Sequence, residues 1–276
     1  DTKANHSEEK VQQIINHIAT KLLSVLMIIT LIAVITAPLI IFLFAWGFYF
    51  KSDATQFQLA SSMLRITFPY LLLISLTALS GSILNTYDNF TVPAFTPVLL
   101  NISLILSAIF LSRYLSTPIM ALAWGVLIGG IAQLAFQIPF LRKIKRLPKL
   151  KFGHHQALTT LKKRMLPALF GVSVSQINLL VDTMIASTLI AGSVSWLYYS
   201  DRLLELPLAL IGIAIATVAL AKLSNYHARK DSRGFTETID KALLLAILLG
   251  VPACMGLVLL SEELIVTLFQ YEAFDI

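Results

Sequence analysis

Four ionisable residues fall inside otherwise apolar stretches of the chain, where they could bind an anion. Asp201, Arg202 and Glu205 interrupt the hydrophobic run 194–221, and Asp182 interrupts the preceding run 165–191. Charged groups at the centre of a membrane span are costly, so they usually face a polar cavity or one another. A planar guanidinium can donate two parallel hydrogen bonds to phosphate, which makes Arg202 suited to an anionic substrate group.

The spacing of these residues predicts that they share one depth of a membrane. Residues three and four apart meet on one helix face, so Glu205 can contact both Asp201 and Arg202. Asp182 and Arg202 each lie ten residues from Gly192, which places both roughly 15 Å from the connection between the two runs. Geometry therefore allows a pair between Asp182 and Arg202. Two interpretations remain open: ion pairs that join two helices, or an arginine that binds substrate while the carboxylates hold it.

A polar stripe accompanies Asp182 on the same run. Ser175, Gln176 and Asn178 make this segment unusually polar, and Ser175, Asn178 and Asp182 follow the pattern i, i+3, i+7. That pattern places them on one helix face. The stripe could line a cavity, or it could form interhelical hydrogen bonds, which average about 0.6 kcal/mol in membranes. The sequence leaves both interpretations open.

The composition indicates the elements that must position these groups. Hydrophobic residues make up 57% of the chain and charged residues 13%, whereas soluble domains carry about 25% charged residues. Each apolar run has about the length that a helix needs to cross a bilayer. The sequence therefore predicts an all-α, polytopic membrane helix bundle with seven transmembrane helices, at 18–44, 64–84, 94–111, 119–141, 165–191, 194–221 and 241–260.

Two further patterns organise these spans. Seventeen of the 21 Lys and Arg residues fall at the alternate connections that include the N-terminus, so the positive-inside rule places that side in the cytoplasm. The densest group, within 142–164, could also bind anionic lipid headgroups or substrate phosphate. We predict two domains: 1–152 with four spans, and 153–276 with an interfacial helix and three spans. Because the chain starts at Asp1, we expect it to be part of a longer protein.

Proline recurs once in each predicted span. Such residues free backbone carbonyls and can bend helices, which suits a protein that alternates between two openings. The alternative is that proline is simply more frequent in membrane helices than in soluble ones. The seven residues are Pro38, Pro69, Pro97, Pro139, Pro167, Pro207 and Pro252.

Several kinds of chemistry are disfavoured by the sequence. It contains no G-x-x-x-x-G-K-[ST] motif for a nucleotide-driven motor, and His154 and His155 have no second ligand pair at metal spacing. No Ser–His or Cys–His arrangement lies at a common depth, so a transporter is favoured over an enzyme. No metal, cofactor or nucleic-acid partner is predicted. The single Cys254 excludes intramolecular disulfides, and its apolar surroundings predict a buried thiol.

Several stretches resemble the MurJ (MviN) family of lipid II flippases, within the MOP exporter superfamily. The block GSVSWLYYSDRLLELPLALIGIAIAT at 192–217 is the most specific. The other matching stretches are ITFPYLLLISLTALSGSILNTYDNF at 66–90, PAFTPVLLNIS at 93–103, PALFGVSVSQINLL at 167–180 and LFQYEAF at 268–274. The resemblance therefore covers most of the chain from 61 to 274.

The resemblance implies a fourteen-helix fold with both termini cytoplasmic, in which the seven spans correspond to helices three to nine. It also implies a bacterial inner-membrane location and the movement of undecaprenyl-pyrophosphate-linked peptidoglycan precursor between leaflets by alternating access. The family's essential arginine in helix eight falls on Arg202. The implied partners are lipid II, membrane lipids and cell-wall synthesis proteins.

Two other functions remain as alternatives at this stage. The chain could belong to another exporter of the same superfamily, one that moves drugs or other lipid-linked oligosaccharides. It could also belong to a membrane scaffold for cell-wall enzymes that transports nothing. A scaffold would tolerate loss of the Arg202 charge, whereas either exporter would not.

Overall fold

The computed structural model describes residues 8–50, 55–153, 156–190, 192–229 and 231–270. Side chains are described throughout these ranges except at 156–164, 166, 168, 170–172, 174–175 and 227–228. Every regular element in this part of the chain is helical, which confirms the predicted all-α fold. The helices fall into two compact units, Asp1–Thr188 and Leu189–Ile276. The predicted division after residue 152 concerns the halves of a longer fold and stays a prediction.

The bounds of the helices follow the predicted spans closely. In chain order the first unit contains α1 (Glu8–Ile35), α2 (Ala37–Phe44), α3 (Gly47–Phe50), α4 (Thr55–Thr67), α5 (Tyr70–Thr86), α6 (Thr91–Phe110) with a short 3-10 extension (Leu111–Tyr114), α7 (Met120–Lys143) and α8 (Gln156–Thr188). The second unit contains α9 (Ser193–Pro207), a π-helical segment (Leu208–Ile213), α10 (Ala214–Ala228), α11 (Ser232–Leu259) and α12 (Ser261–Phe269).

Six helices within the described residues are long and apolar enough to cross a membrane. They agree with six of the seven predicted spans, and they make the chain a multi-pass membrane protein. The predicted span 165–191 coincides with α8 but is not among these six. Residues 156–164, predicted as an interfacial helix, form the first part of α8. That these residues lie at the membrane interface and that 165–191 spans the membrane both stay predictions.

Small residues let α6 and α7 approach each other closely. A Cβ atom on Gly129 would lie 2.7 Å from Leu100 Cδ1, and one on Gly125 would lie 3.0 Å from Ser107 Cβ. In the same contact, Ser103 Oγ donates a hydrogen bond of 2.8 Å to the carbonyl of Gly125. Glycine and serine at such spacing are the usual means by which membrane helices pack, because lipid provides little hydrophobic driving force between them.

The basic segment after α7 is held along α1 by hydrogen bonds. The backbone N–H groups of Lys149 and Lys151 donate to Asn16 Oδ1 and Thr20 Oγ1, both at 2.8 Å. Asn16 and Thr20 are one helical turn apart, so they present two acceptors to the backbone of this segment. This segment is therefore fixed to the first unit by its backbone, while its lysine side chains remain available to the surroundings.

Only some of the span prolines interrupt a helix. Pro38 stands in the first turn of α2, Pro69 separates α4 from α5, and Pro207 ends α9. Four others, Pro97, Pro139, Pro167 and Pro252, lie inside continuous helices. Three of the seven prolines therefore coincide with interruptions, and the other four are accommodated within helices, so both interpretations of the proline pattern stay open.

The expected burial of Cys254 is wrong, because the residue is exposed on α11. Its neighbours on this helix are exposed as well; Val258 has a relative accessibility of 71% and Leu259 of 73%. In a membrane protein an apolar surface can face lipid, so a hydrophobic surrounding sequence does not indicate a protein core.

Candidate functional site

Arg202 lies in the third turn of α9, within the candidate span Ser193–Tyr226. Gly192 precedes the helix with φ +100°, a left-handed conformation that glycine adopts without a Cβ clash. Its carbonyl accepts a hydrogen bond of 2.9 Å from the backbone N–H of Trp196. This turn sets the start of α9, and thereby the depth at which Arg202 stands on the helix.

The guanidinium of Arg202 is held between two residues of its own helix. Its Nη1 donates a hydrogen bond of 2.7 Å to Glu205 Oε2. Its Cζ lies 4.9 Å from the centroid of the Tyr198 ring, within the range of a cation–π contact. Tyr198, Arg202 and Glu205 are spaced i−4, i and i+3, so they follow one face of α9. We call these three residues the arginine cluster.

The arginine cluster remains accessible. The Arg202 side chain has a relative accessibility of 52% and that of Glu205 has 61%. The ion pair between Arg202 and Glu205 connects two residues of one helix. The arrangement orients a guanidinium by a carboxylate and an aromatic ring while leaving part of its surface open to a ligand. Such a group can donate paired hydrogen bonds to phosphate oxygens.

The remaining predicted site residues lie around this cluster in sequence and on α8. Asp201 is half-buried on α9 and makes no ion pair with a described residue. On α8, Gln176, Asn178 and Asp182 are all exposed, and no ion pair of Asp182 is seen in the described part of the chain. The side chain of Ser175 lies outside the described residues. A pair between Asp182 and Arg202 would join the two units, and it stays a prediction.

The described residues contain no group of three or more His, Cys, Asp or Glu side chains that could hold a metal ion. His154 and His155 lie outside the described residues.

A second polar site, which the sequence analysis missed, lies within the first unit. Residues of α5, α6 and α7 line an open cleft of about 580 Å³. Its buried end contains Thr96, Gln133 and Gln137, which are 3%, 2% and 1% exposed. Gln133 Nε2 donates to the Thr96 carbonyl at 3.2 Å, and Gln133 Oε1 accepts from the Tyr70 hydroxyl at 3.3 Å. We call this cavity the glutamine cleft.

The signal for this cleft was present in the sequence but ambiguous. Gln133 and Gln137 are spaced i, i+4 in an apolar span, so they share a helix face. Thr77 and Thr96, which also line the cleft, are common in membrane helices. One sequence does not tell which polar positions of three separate helices face each other, and only the packing brings these together.

Comparison with known proteins identifies the family. The model of the family described as "Lipid II flippase MurJ" matches residues 1–276. The chain is 44% identical over 273 residues to the "Probable lipid II flippase MurJ" of Haemophilus influenzae, covering 95% of this chain and 54% of that protein. It is 48% identical over 249 residues to the protein of the same name from Vibrio cholerae, covering 88% and 47%.

A solved structure supports the same assignment. The chain aligns with "Lipid II flippase MurJ, inward closed conformation" at a TM-score of 0.81 and 30% identity, covering 99% of this chain and 55% of that one. The chain thus spans about half the length of the curated relatives it matches. The match extends over the whole sequence, includes the predicted resemblance at 192–217, and agrees with the helical fold. The chain belongs to the MurJ family of lipid II flippases.

Proposed function

We propose that this chain is part of a flippase that carries undecaprenyl-pyrophosphate-linked peptidoglycan precursor from the inner to the outer leaflet of the bacterial inner membrane. The observation that carries the proposal is a guanidinium on a membrane-spanning helix, oriented by Glu205 and Tyr198 yet about half exposed. Family membership supplies the substrate class, because the matched relatives are named as lipid II flippases. The proposed partners are lipid II and the surrounding membrane lipids, with cell-wall synthesis proteins as further ones.

In this proposal Arg202 binds the pyrophosphate of the substrate. Pyrophosphate presents several acceptor oxygens, and a guanidinium meets them with a fork of N–H donors. Glu205 holds the guanidinium in place when no substrate is bound, and it is displaced or shared when the anion arrives. Asp182 and Asp201 offer alternative partners during the transport cycle. On α8, Gln176 and Asn178 offer further polar groups along the path of the headgroup, and the sequence predicts the same role for Ser175.

Alternating access would bring these groups to each side of the membrane in turn. A substrate must bind well enough to enter and weakly enough to leave, and exchange of Arg202 between a carboxylate and a phosphate meets both needs. The lipid tails remain in the bilayer while the headgroup crosses the polar path. Another exporter of the superfamily would share this mechanism with a different headgroup.

Replacement of Arg202 tests the proposal. In the complete protein, Arg202→Ala should abolish precursor translocation, measured in reconstituted vesicles and as growth with the variant as sole copy. Arg202→Lys should retain partial transport, because it keeps the charge and loses the planar fork. The matched control is Arg233→Ala, since Arg233 also pairs with a glutamate of its own helix, Glu237 at 3.0 Å, near the start of α11. Normal transport by Arg202→Ala would overturn the proposal, and drug efflux without precursor transport would favour the other exporter.

A further inference from the structure

The glutamine cleft has one buried acceptor that the protein does not satisfy. Gln137 Nε2 donates a hydrogen bond of 2.9 Å to Thr96 Oγ1, and Thr96 Oγ1 itself donates to the Val92 carbonyl at 2.8 Å. The threonine hydroxyl has a single hydrogen, so it must accept from Gln137, and this fixes which end of the amide faces it. The other end, Gln137 Oε1, has no hydrogen-bond partner among the described residues although the side chain is 1% exposed.

The cleft around this acceptor is uncharged, is lined by both polar and apolar side chains, and is open to the surroundings. None of the residues that line it is charged. Thr77, Ser82 and Asn85 add further hydrogen-bonding groups to the lining. Ser82 and Asn85 are exposed near the turn between α5 and α6, and we call this end of the cleft its mouth. A volume of about 580 Å³ lies within the range of about 300–1,000 Å³ that is usual for small-molecule sites. The positive-inside rule predicts that this mouth lies on the cytoplasmic side.

We infer that the glutamine cleft is a subsite for an uncharged, hydrogen-bond-donating part of the substrate headgroup, namely a sugar hydroxyl or acetamido N–H. This inference rests on the proposed function. An unpaired buried acceptor calls for an O–H or N–H donor, because leaving it unsatisfied is costly. Pyrophosphate cannot serve, since its ionised oxygens only accept hydrogen bonds. The sugars of the precursor provide such donors, and they load from the cytoplasmic leaflet.

The close packing of the three helices gives the cleft its shape. A Cβ atom on Gly81 would lie 3.3 Å from Pro93 Cβ and 3.7 Å from Gln137 Nε2. The helices are therefore close together beside Gly81, and Ala78, which is exposed, lines the same cavity. A larger side chain at position 78 would occupy the cavity without removing a member of the buried hydrogen-bond network.

Binding of two related lipids by the complete protein tests this inference. Lipid II and undecaprenyl pyrophosphate, which lacks the sugars, are titrated separately against wild type, Gln137→Met, Ala78→Leu and Ala108→Leu in detergent. Gln137→Met removes the acceptor, Ala78→Leu fills the cleft, and Ala108→Leu adds the same volume at an exposed position of α6 outside the cleft. We expect the first two variants to bind lipid II about three- to tenfold more weakly, the effect of one lost hydrogen bond, with unchanged binding of undecaprenyl pyrophosphate.

The outcomes separate failure of the inference from failure of the proposed function. Unchanged lipid II affinity in both cleft variants would overturn the inference, with a bound water then satisfying Gln137, and would leave the flippase proposal standing. An equal loss for both lipids would also overturn it, since it would indicate a purely structural role. Failure of the wild-type protein to bind lipid II at all would overturn the proposed function, and the inference with it.

Discussion

At the scale of single residues, the arginine cluster shows how a charge is kept oriented within an apolar helix. The Glu205 carboxylate accepts from the guanidinium on one side, and the Tyr198 ring lies against it on the other. A carboxylate alone would fix the position of one nitrogen, whereas the ring also limits the rotation of the guanidinium plane. A pre-oriented group loses less conformational entropy when it binds its ligand. The aromatic neighbour should therefore matter for transport even though it offers the substrate no charge.

Substitution of Tyr198 tests this orienting role. We expect Tyr198→Phe to keep precursor transport near the wild-type rate, because the ring face is retained. Tyr198→Leu should weaken binding of the lipid pyrophosphate roughly two- to fivefold, the usual effect of losing an exposed cation–π contact. The measurement is lipid binding and translocation by the complete protein in vesicles. Equal losses in both variants would show that the hydroxyl matters rather than the ring.

The candidate site could be predicted in part from the sequence. Arg202 and Glu205 were recognisable because charged residues stand out in an apolar run, and their i, i+3 spacing favours the contact that the structure has. Gln133 and Gln137 were not recognised, because uncharged amides in membrane helices are also ordinary contacts between helices. Their importance depends on one unsatisfied oxygen, which is a property of the packing and not of the composition.

At the scale of elements, the span that carries Arg202 changes its hydrogen-bond pattern just after the arginine cluster. α9 ends at Pro207, and residues Leu208–Ile213 follow as a π-helical segment before α10 begins. Proline lacks an N–H and clashes with the preceding turn, so an α-helix cannot continue through it without adjustment. π-helical segments are rare and frequently lie at functional sites. We therefore expect the segment to let the two parts of this span bend during transport.

Restoring the missing backbone donor tests that expectation. Pro207→Ala should permit continuous α-helical bonding and raise or maintain the thermal stability of the protein. Transport should fall, because a straight and stiffer span resists the change between the two openings. Pro252→Ala provides the matched control, since Pro252 already lies inside the continuous helix α11. Wild-type translocation rates with Pro207→Ala would show that the π-helical segment is not needed for movement.

The bounds of the elements were more predictable than their interruptions. Hydropathy located the spans, because a helix that crosses the bilayer needs about 20 mostly apolar residues and satisfies its backbone hydrogen bonds internally. The break at Thr36, which splits one predicted span into α1 and α2, follows from Pro38 two residues later. Pro97 in α6 looks equivalent in sequence, yet the helix continues through it. Whether a proline breaks a membrane helix depends on what its neighbours supply, which no single sequence shows.

At the scale of the whole molecule, the distribution of charge predicts which side of the membrane each connection occupies. Seventeen of the 21 Lys and Arg residues belong to one set of alternate connections. Basic residues are retained on the cytoplasmic side during insertion. Six helices of the described residues, from both units, agree with the spans on which this prediction is based. The rule makes a prediction for each unit separately, so one experiment can check both.

Labelling of single cysteines in the complete protein tests this topology. Ser116 is exposed after the 3-10 helix that extends α6, and Arg229 is exposed after α10. In a Cys254→Ser background with any other native cysteines also replaced, a membrane-impermeant maleimide added to spheroplasts should label Ser116→Cys. Arg229→Cys should be labelled only after lysis, because the positive-inside rule places it in the cytoplasm.

The reverse pattern of labelling would show that the orientation is inverted, and it would put the mouth of the glutamine cleft on the side from which the precursor leaves. Labelling of both positions in intact spheroplasts would contradict the span count between them, since an odd number of crossings must separate two sides.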